Sequence, residues 1–254
     1  DGSDGSNDVS YIILDVLDEL QLLQPQVSVH ISSKTSERFL RHACKVMRRG
    51  SGYPSAFNSE AVFMEQLGMG KTVEDARTGG TSGCVETGSF GKEAYILHGY
   101  LNVPKIMELA LNNGTDPLSG KRIGLETGAP QTFTCYEEFY QAFEKQLHYV
   151  VDTKIRTDNY IQRMFARHAP APYLSVLIHD CIENGRDYYD GGPRYNTDYI
   201  QCCGIGTVTD SFSVLKKHVF EEKTVTLADL LRALHENWEG WEEMRQFIWN
   251  RTPF

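Results

Sequence analysis

No stretch of this chain approaches the roughly 20 consecutive apolar residues of a membrane-spanning helix, and no basic start leads into an apolar core as a secretion signal does. Clusters of basic residues are missing too. Lys and Arg number 25 against 34 Asp and Glu, a net charge of -9, with no stripe suited to a phosphate backbone or an anionic bilayer. Nucleic acid and membranes are therefore not expected as partners, and a cytoplasmic location is. Neither Cys-x-x-Cys nor zinc-type spacing occurs among the six cysteines at 44, 84, 135, 181, 202 and 203, which predicts reduced thiols, mostly in the core, without a disulfide framework or metal site. Gly204-x-Gly206 lacks the third glycine and the downstream acid of a dinucleotide fingerprint, so no nucleotide role follows. No internal repeat is present. The first residue is Asp rather than Met, from which a chain cut out of something longer is expected.

What is present is ordinary for a folded protein: 254 residues, 41% hydrophobic and 23% charged, enough for a sizeable core. Residues 1–7 (DGSDGSN) have linker composition. Apolar residues at 9, 12, 13, 16, 17, 20 and 23 carry helical spacing up to Pro25. Alternation over 27–31 predicts a strand, and 35–49 a helix ending at Gly50. Residues 51–58 read as a loop, with Asn58 or Ser59 capping a helix through Leu67. The pattern predicts a helix over 93–101, a second with Pro104 in its first turn, and a long helix over 136–168 with a break near 152–158. Strands are predicted at 173–178, 195–200 and 205–208, then helices over 209–220, 226–238 and 241–249, with Thr226 as a cap. These elements together indicate an α/β fold, rich in helix.

Chemistry concentrates in residues 81–92, Thr-Ser-Gly-Cys-Val-Glu-Thr-Gly-Ser-Phe-Gly-Lys. Glycines at 79, 80, 83 and 88 oppose regular structure, and the apolar segment behind offers a rigid flank. In an extended loop, residues two apart share a face, so the Cys84 thiol and the Glu86 carboxylate are expected to face one substrate together.

The run from Ser82 to Tyr95 resembles the cysteine loop of glycyl radical enzymes, a pyruvate formate-lyase-like family, in the branch that carries Cys-Val-Glu. Asp8-Val9-Ser10-Tyr11, Ser28-Val29-His30, Ala56-Phe57-Asn58-Ser59-Glu60, Glu74-Asp75-Ala76-Arg77, Leu109-Ala110-Leu111-Asn112-Asn113-Gly114 and Arg194-Tyr195-Asn196 extend the resemblance over essentially the whole chain. Nothing is similar to the family's Arg-Val-x-Gly-Tyr loop. The resemblance implies one partial barrel domain over 1–254, part of the family's ten-stranded α/β barrel, with the catalytic loop at 81–92 and the glycyl radical domain absent. As an isolated fragment, the chain is expected to be inactive.

By the same resemblance Cys84 is the thiyl residue and Glu86 its acid/base partner, whose carboxyl burial is expected to push upward toward neutrality. No cofactor or metal is expected on this segment. The parent would need a glycyl radical installed by a radical S-adenosylmethionine iron-sulfur activating enzyme, and would be a homo-oligomer. Cys202-Cys203 sits in the wrong context for the paired cysteines of acyl transfer, and buried strand-end thiols are expected there. Residues 196–204 and 249–254 resemble the arylacetate decarboxylases most closely. With His98 as donor to a small aromatic carboxylate, the resemblance implies decarboxylation of indoleacetate or 4-hydroxyphenylacetate to the methylated arene. The alternative is a dehydratase of the hydroxyproline type or another carbon–heteroatom lyase.

Overall fold

The computed structural model describes residues 4–253; Phe254, the last residue of one motif above, and the first three residues of the expected linker lie outside them. Two compact units are present, one formed by residues 1–96 and 162–199 and the other by 97–161 and 200–254.

The first unit begins with helix α1 (Asp8–Leu20), whose N-terminus is closed by a capping box in which the Asn7 side chain accepts from Val9 and Ser10 amides. Strand β1 (Ser28–Ile31), helix α2 (Glu37–Met47) and strand β2 (Ser55–Asn58) make a βαβ unit, β1 and β2 pairing in parallel from Ser28↔Ser55 to Ile31↔Asn58. Residues 55–58 had read as loop; four residues acquire a strand identity only from their partner. Leu14, Leu17, Val29, Phe39, Ala43 and Val46 form the local core. Asn58 then caps α3 (Ser59–Gly68), accepting from the Ala61 amide at 3.0 Å, and Thr72 caps α4 (Val73–Arg77). Strands β3 (Gly79–Thr81) and β4 (Thr87–Ser89) pair antiparallel as Gly79↔Ser89, Gly80↔Gly88 and Thr81↔Thr87.

Residues 93–101, expected to be helical, lie in strand β5 (Glu93–Asn102). Ala94 and Ile96 are buried and Leu97 exposed, the two-residue alternation that a short apolar run hides when helical spacing is sought. Helix α5 (Val103–Leu111) follows, with its proline in the first turn. Helix α6 (Tyr136–His168) runs unbroken through the expected break, where Lys154 pairs with Asp158 one turn on at 2.6 Å and the Thr153 and Thr157 hydroxyls are absorbed by the Tyr149 and Thr153 carbonyls at 2.8 Å.

The stretch expected as a buried strand at 173–178 is instead the short helix α7 (Pro172–Ser175) and turns, with Tyr173, Val176 and Leu177 exposed. Pro172 presets a helical first turn, and the Ser175 hydroxyl donates to the Ala171 carbonyl at 2.8 Å. After α8 (Cys181–Asn184), strand β6 (Tyr195–Cys203) pairs with β5. The second unit continues with α9 (Ile205–Val214), where a strand had been expected; Gly204 at φ 79° turns the chain into it. A π-helical turn over Leu215–Glu221, then α10 (Leu227–His235) and α11 (Glu242–Arg251), complete the chain. This unit's core gathers Ile106, Met107, Phe139, Phe143, Leu215 and Leu230. Among the described residues no helix is long and apolar enough to cross a membrane.

Candidate active site

The cysteine loop is the tip of the β3–β4 hairpin. Glycine is required at its base: a side chain on Gly79 would meet the Gly88 carbonyl and the Gln66 amide, and one on Gly88 would meet the Tyr95 ring and Glu93 Oε2. Residues 83–85 bend, and the Ser82 amide donates to the Glu86 carbonyl at 2.8 Å to close the loop. Cys84 stands exposed near the apex.

Glu86 is 9% exposed, and its carboxylate curls back onto the loop. Its Oε2 accepts from the Ser82 hydroxyl and from the Val85 amide, the latter at 3.3 Å. The bend therefore replaces the extended loop in which thiol and carboxylate were to share one open face. Burial is the largest single influence on Glu86 and pushes its carboxyl up, but the Ser82 hydroxyl and the amides of residues 86, 85 and 84 together outweigh it, and the carboxyl lies below its ordinary value. The expected upward shift is absent because the loop's own donors stabilise the carboxylate more than desolvation penalises it.

The floor of the hairpin is buried. Thr87 and Ser89 are hardly exposed, the Tyr199 hydroxyl donates to the Thr87 carbonyl, and the Tyr95 and Tyr199 rings stack 6.2 Å apart at 14°. Burial first, and the negative Glu93 second, hold both phenols well above the ordinary tyrosine range, so both stay neutral. Sequence reasoning passed over Ser82 and Tyr199; the hydroxyl four residues before Glu86 was the available signal for the first.

His98 lies on β5, in the second unit, not on a helix. Three positions along a strand reverse the side chain, so Tyr95 and His98 leave β5 on opposite faces, where a helix over 93–101 would have set them on one. Its carbonyl accepts from Lys154 Nζ at 2.6 Å. Cys202 and Cys203 are exposed rather than buried, whereas Cys181 is buried, and burial raises its thiol. A cavity of about 670 Å³ opens beside β3, where His30 Nε2 lies 2.9 Å from Thr81 Oγ1; Cys84, Glu86 and His98 do not line it. Among the described residues no cluster of His, Cys, Asp and Glu is placed to hold a metal ion.

Against known proteins, the family model for pyruvate formate lyase-like proteins matches residues 1–254. The chain belongs to the pyruvate formate lyase-like family. Within this family, it is 55% identical over 253 residues to trans-4-hydroxy-L-proline dehydratase of Clostridioides difficile, covering 100% of the chain and 32% of that protein. Indoleacetate decarboxylase of Tractidigestivibacter scatoligenes is 30% identical over 237 residues, covering 91% of the chain and 27% of that protein. The chain spans about a third of the length of these curated relatives. In structure, the C. difficile hydroxyproline dehydratase with its substrate bound matches at a TM-score of 0.95 and 55% identity, covering 99% of the chain and 32% of the match. The α/β, helix-rich fold therefore corresponds to part of the glycyl radical enzyme barrel.

Proposed function

We propose that this chain is the part of a glycyl radical dehydratase that carries the thiyl cysteine, with a hydroxyproline-type imino acid as substrate. One observation carries the choice: identity of 55% across the whole chain to a hydroxyproline dehydratase, against 30% to an arylacetate decarboxylase. An aromatic carboxylate and a carboxy-lyase reaction have the weaker support. Residues 1–254 are taken as one portion of the barrel domain, with the loop at 81–92 its catalytic element.

An exposed thiol at the tip of a hairpin whose base is locked can be presented to a second radical site and to substrate in turn. The glycyl radical, installed by a radical S-adenosylmethionine activating enzyme, would supply the unpaired electron from outside this segment. As a thiyl, Cys84 takes a hydrogen atom from the carbon next to the hydroxyl-bearing carbon. The substrate radical loses hydroxide and one proton, together a water, and the Cys84 thiol returns the hydrogen atom to the product radical. Held below the ordinary carboxyl range, Glu86 starts as a carboxylate and so begins as base, accepting the substrate's proton before passing it to the leaving hydroxyl. The Ser82 hydroxyl keeps it aimed. His98, expected as donor to an aromatic carboxylate, is here proposed to contact the imino acid's carboxylate instead, and His98→Thr should raise KM and leave kcat.

The test uses the full-length protein, activated anaerobically and offered trans-4-hydroxy-L-proline, indoleacetate and 4-hydroxyphenylacetate. Expected is a product lighter by one water from hydroxyproline and none from the arylacetates. Carbon dioxide release from either arylacetate, with hydroxyproline untouched, would reverse the choice. Cys84→Ala should keep the glycyl radical signal and abolish turnover; retained turnover would remove Cys84 from the mechanism.

A further inference from the structure

Two motifs take no part in the chemistry above: Glu74-Asp75-Ala76-Arg77 in α4, and Arg194-Tyr195-Asn196 at the start of β6. In three dimensions both motifs converge on the hairpin. Glu93, with a side chain 0% exposed, pairs with Lys71, 2% exposed. Glu93 Oε2 also accepts from the Ser89 amide at 2.6 Å, and Oε1 from the Thr197 hydroxyl of β6. Lys71 Nζ further donates to Gln66 Oε1 at 3.4 Å and lies 5.5 Å over the Tyr195 ring. A second buried carboxylate, Asp75, accepts from Lys92, from the Tyr195 hydroxyl at 2.8 Å and from Arg194 at 3.3 Å; Arg194 is also held by two bonds to Asp180.

Ser89, the last residue of β4, is the point where these ties meet. Its amide goes to Glu93, its hydroxyl donates to the Asp75 carbonyl at 3.1 Å, and its carbonyl accepts from the Lys92 amide at 3.2 Å. Residue 88 has no side chain because Glu93 and Tyr95 occupy that space. The strand that leads from Glu86 is thus fixed in height and rotation by charged groups outside the cysteine loop.

A buried ion pair contributes little net stability, because removal of two charges from water offsets most of their attraction; what it can specify is geometry. We infer that Glu93 and Lys71 are positioning residues that set where the Cys84 hairpin stands for hydrogen-atom transfer. The inference rests on the radical-enzyme reading above. Displacement by about 1 Å at a reacting centre can cost on the order of 10²-fold in rate, so a pair that holds the hairpin floor acts on kcat through Cys84 without touching substrate.

The experiment compares wild type with Lys71→Met/Glu93→Gln in the full-length protein. The amide introduced by Glu93→Gln still offers an acceptor to the Ser89 amide, but the charge pair is gone. Melting temperature, glycyl radical yield by electron paramagnetic resonance and KM for trans-4-hydroxy-L-proline should match wild type, while kcat falls on the order of 10²-fold. In the unactivated protein, the alkylation rate of Cys84 should depart from wild type. Unchanged kcat would overturn the inference, as would parallel losses of melting temperature, radical and kcat, which mark a fold defect. If wild type does not dehydrate hydroxyproline, the substrate reading fails separately; the alkylation rate, which needs no substrate, then decides, and an unchanged rate overturns the positioning role. Should the double variant not fold, Thr197→Val removes one tie to Glu93, and a lowered kcat at constant KM supports the role while a wild-type kcat refutes it.

Discussion

Behind the Cys84 hairpin the buried side chains are Lys71, Asp75 and Glu93, whereas in the second unit the same degree of burial is reached by Ile106, Phe139, Leu215 and Leu230. Both regions exclude water, but for different ends. Apolar burial yields stability in proportion to area and tolerates some sliding of one side chain over another. Charged groups tolerate neither separation nor loss of a partner, so the first region is specified in position and the second in stability. The Phe139 ring, with edge-on or stacked contacts to Phe133, Phe212 and Phe220, has no polar atom that defines a single register.

The strongest way to break this comparison is Phe139→Ala. Full burial of the ring predicts a loss of about 3–5 kcal/mol in urea unfolding followed by tryptophan fluorescence. All three tryptophans, Trp238, Trp241 and Trp249, belong to the second unit, so the signal reports that unit. A loss below about 1 kcal/mol, the range of an ordinary surface change, would deny the apolar core its role.

Lys71→Met alone should cost a similar amount, about 3–5 kcal/mol, because it leaves the Glu93 carboxylate buried without its cation. Restoring neutrality with Glu93→Gln in the same chain should recover most of that loss, measured by amide hydrogen exchange across residues 79–97. If the double variant is as unstable as the single one, the pair serves stability, and the contrast between the regions fails.

The smallest effect is a difference in acid sensitivity. Lys92 chiefly, with Tyr195 and Arg194 adding and burial opposing, holds the Asp75 carboxyl well below its ordinary range. Its contribution is complete above the unfolded aspartate value of about 3.9 and fades as pH falls from there through the folded value. In the second unit, burial chiefly and Lys217 next, opposed by Glu222, hold the His218 imidazole below its ordinary value. A depressed histidine favours the neutral form, so stability is complete above about pH 6.5 and declines as pH falls through the folded value. Burial also holds His30 of the first unit below its ordinary value, so an early decline is expected in both units; His218→Gln should remove it in the second, read by fluorescence, while Asp75→Asn should flatten the later decline in the first, read by amide hydrogen exchange. An early decline in the second unit that survives His218→Gln, or a later one in the first that survives Asp75→Asn, would set these assignments aside.

Much of the local structure was legible because its causes are local. The spacing from Val9 to Leu20 made α1, Asn58 and Thr226 were readable caps, and Pro104 marked the first turn of α5. The cysteine loop, too, stood out by its glycines and its Cys-Val-Glu. What the residue order left undecided were short apolar runs that satisfy helix and strand alike: β5 is a strand because β6, about a hundred residues later, supplies its hydrogen-bond partners, and residues 205–208 are helical because Gly204 redirects the chain. The same holds for the site. Sequence alone determined that a thiol and a carboxylate share one loop. Only the tertiary structure decided that the carboxylate turns inward onto Ser82, that its acidity moves down rather than up, and that charges from residues 71, 75 and 93 fix the strand beneath it, since the bend of the hairpin aims the loop's own donors at Glu86 and only folding brings residues 71 and 75 to the strand.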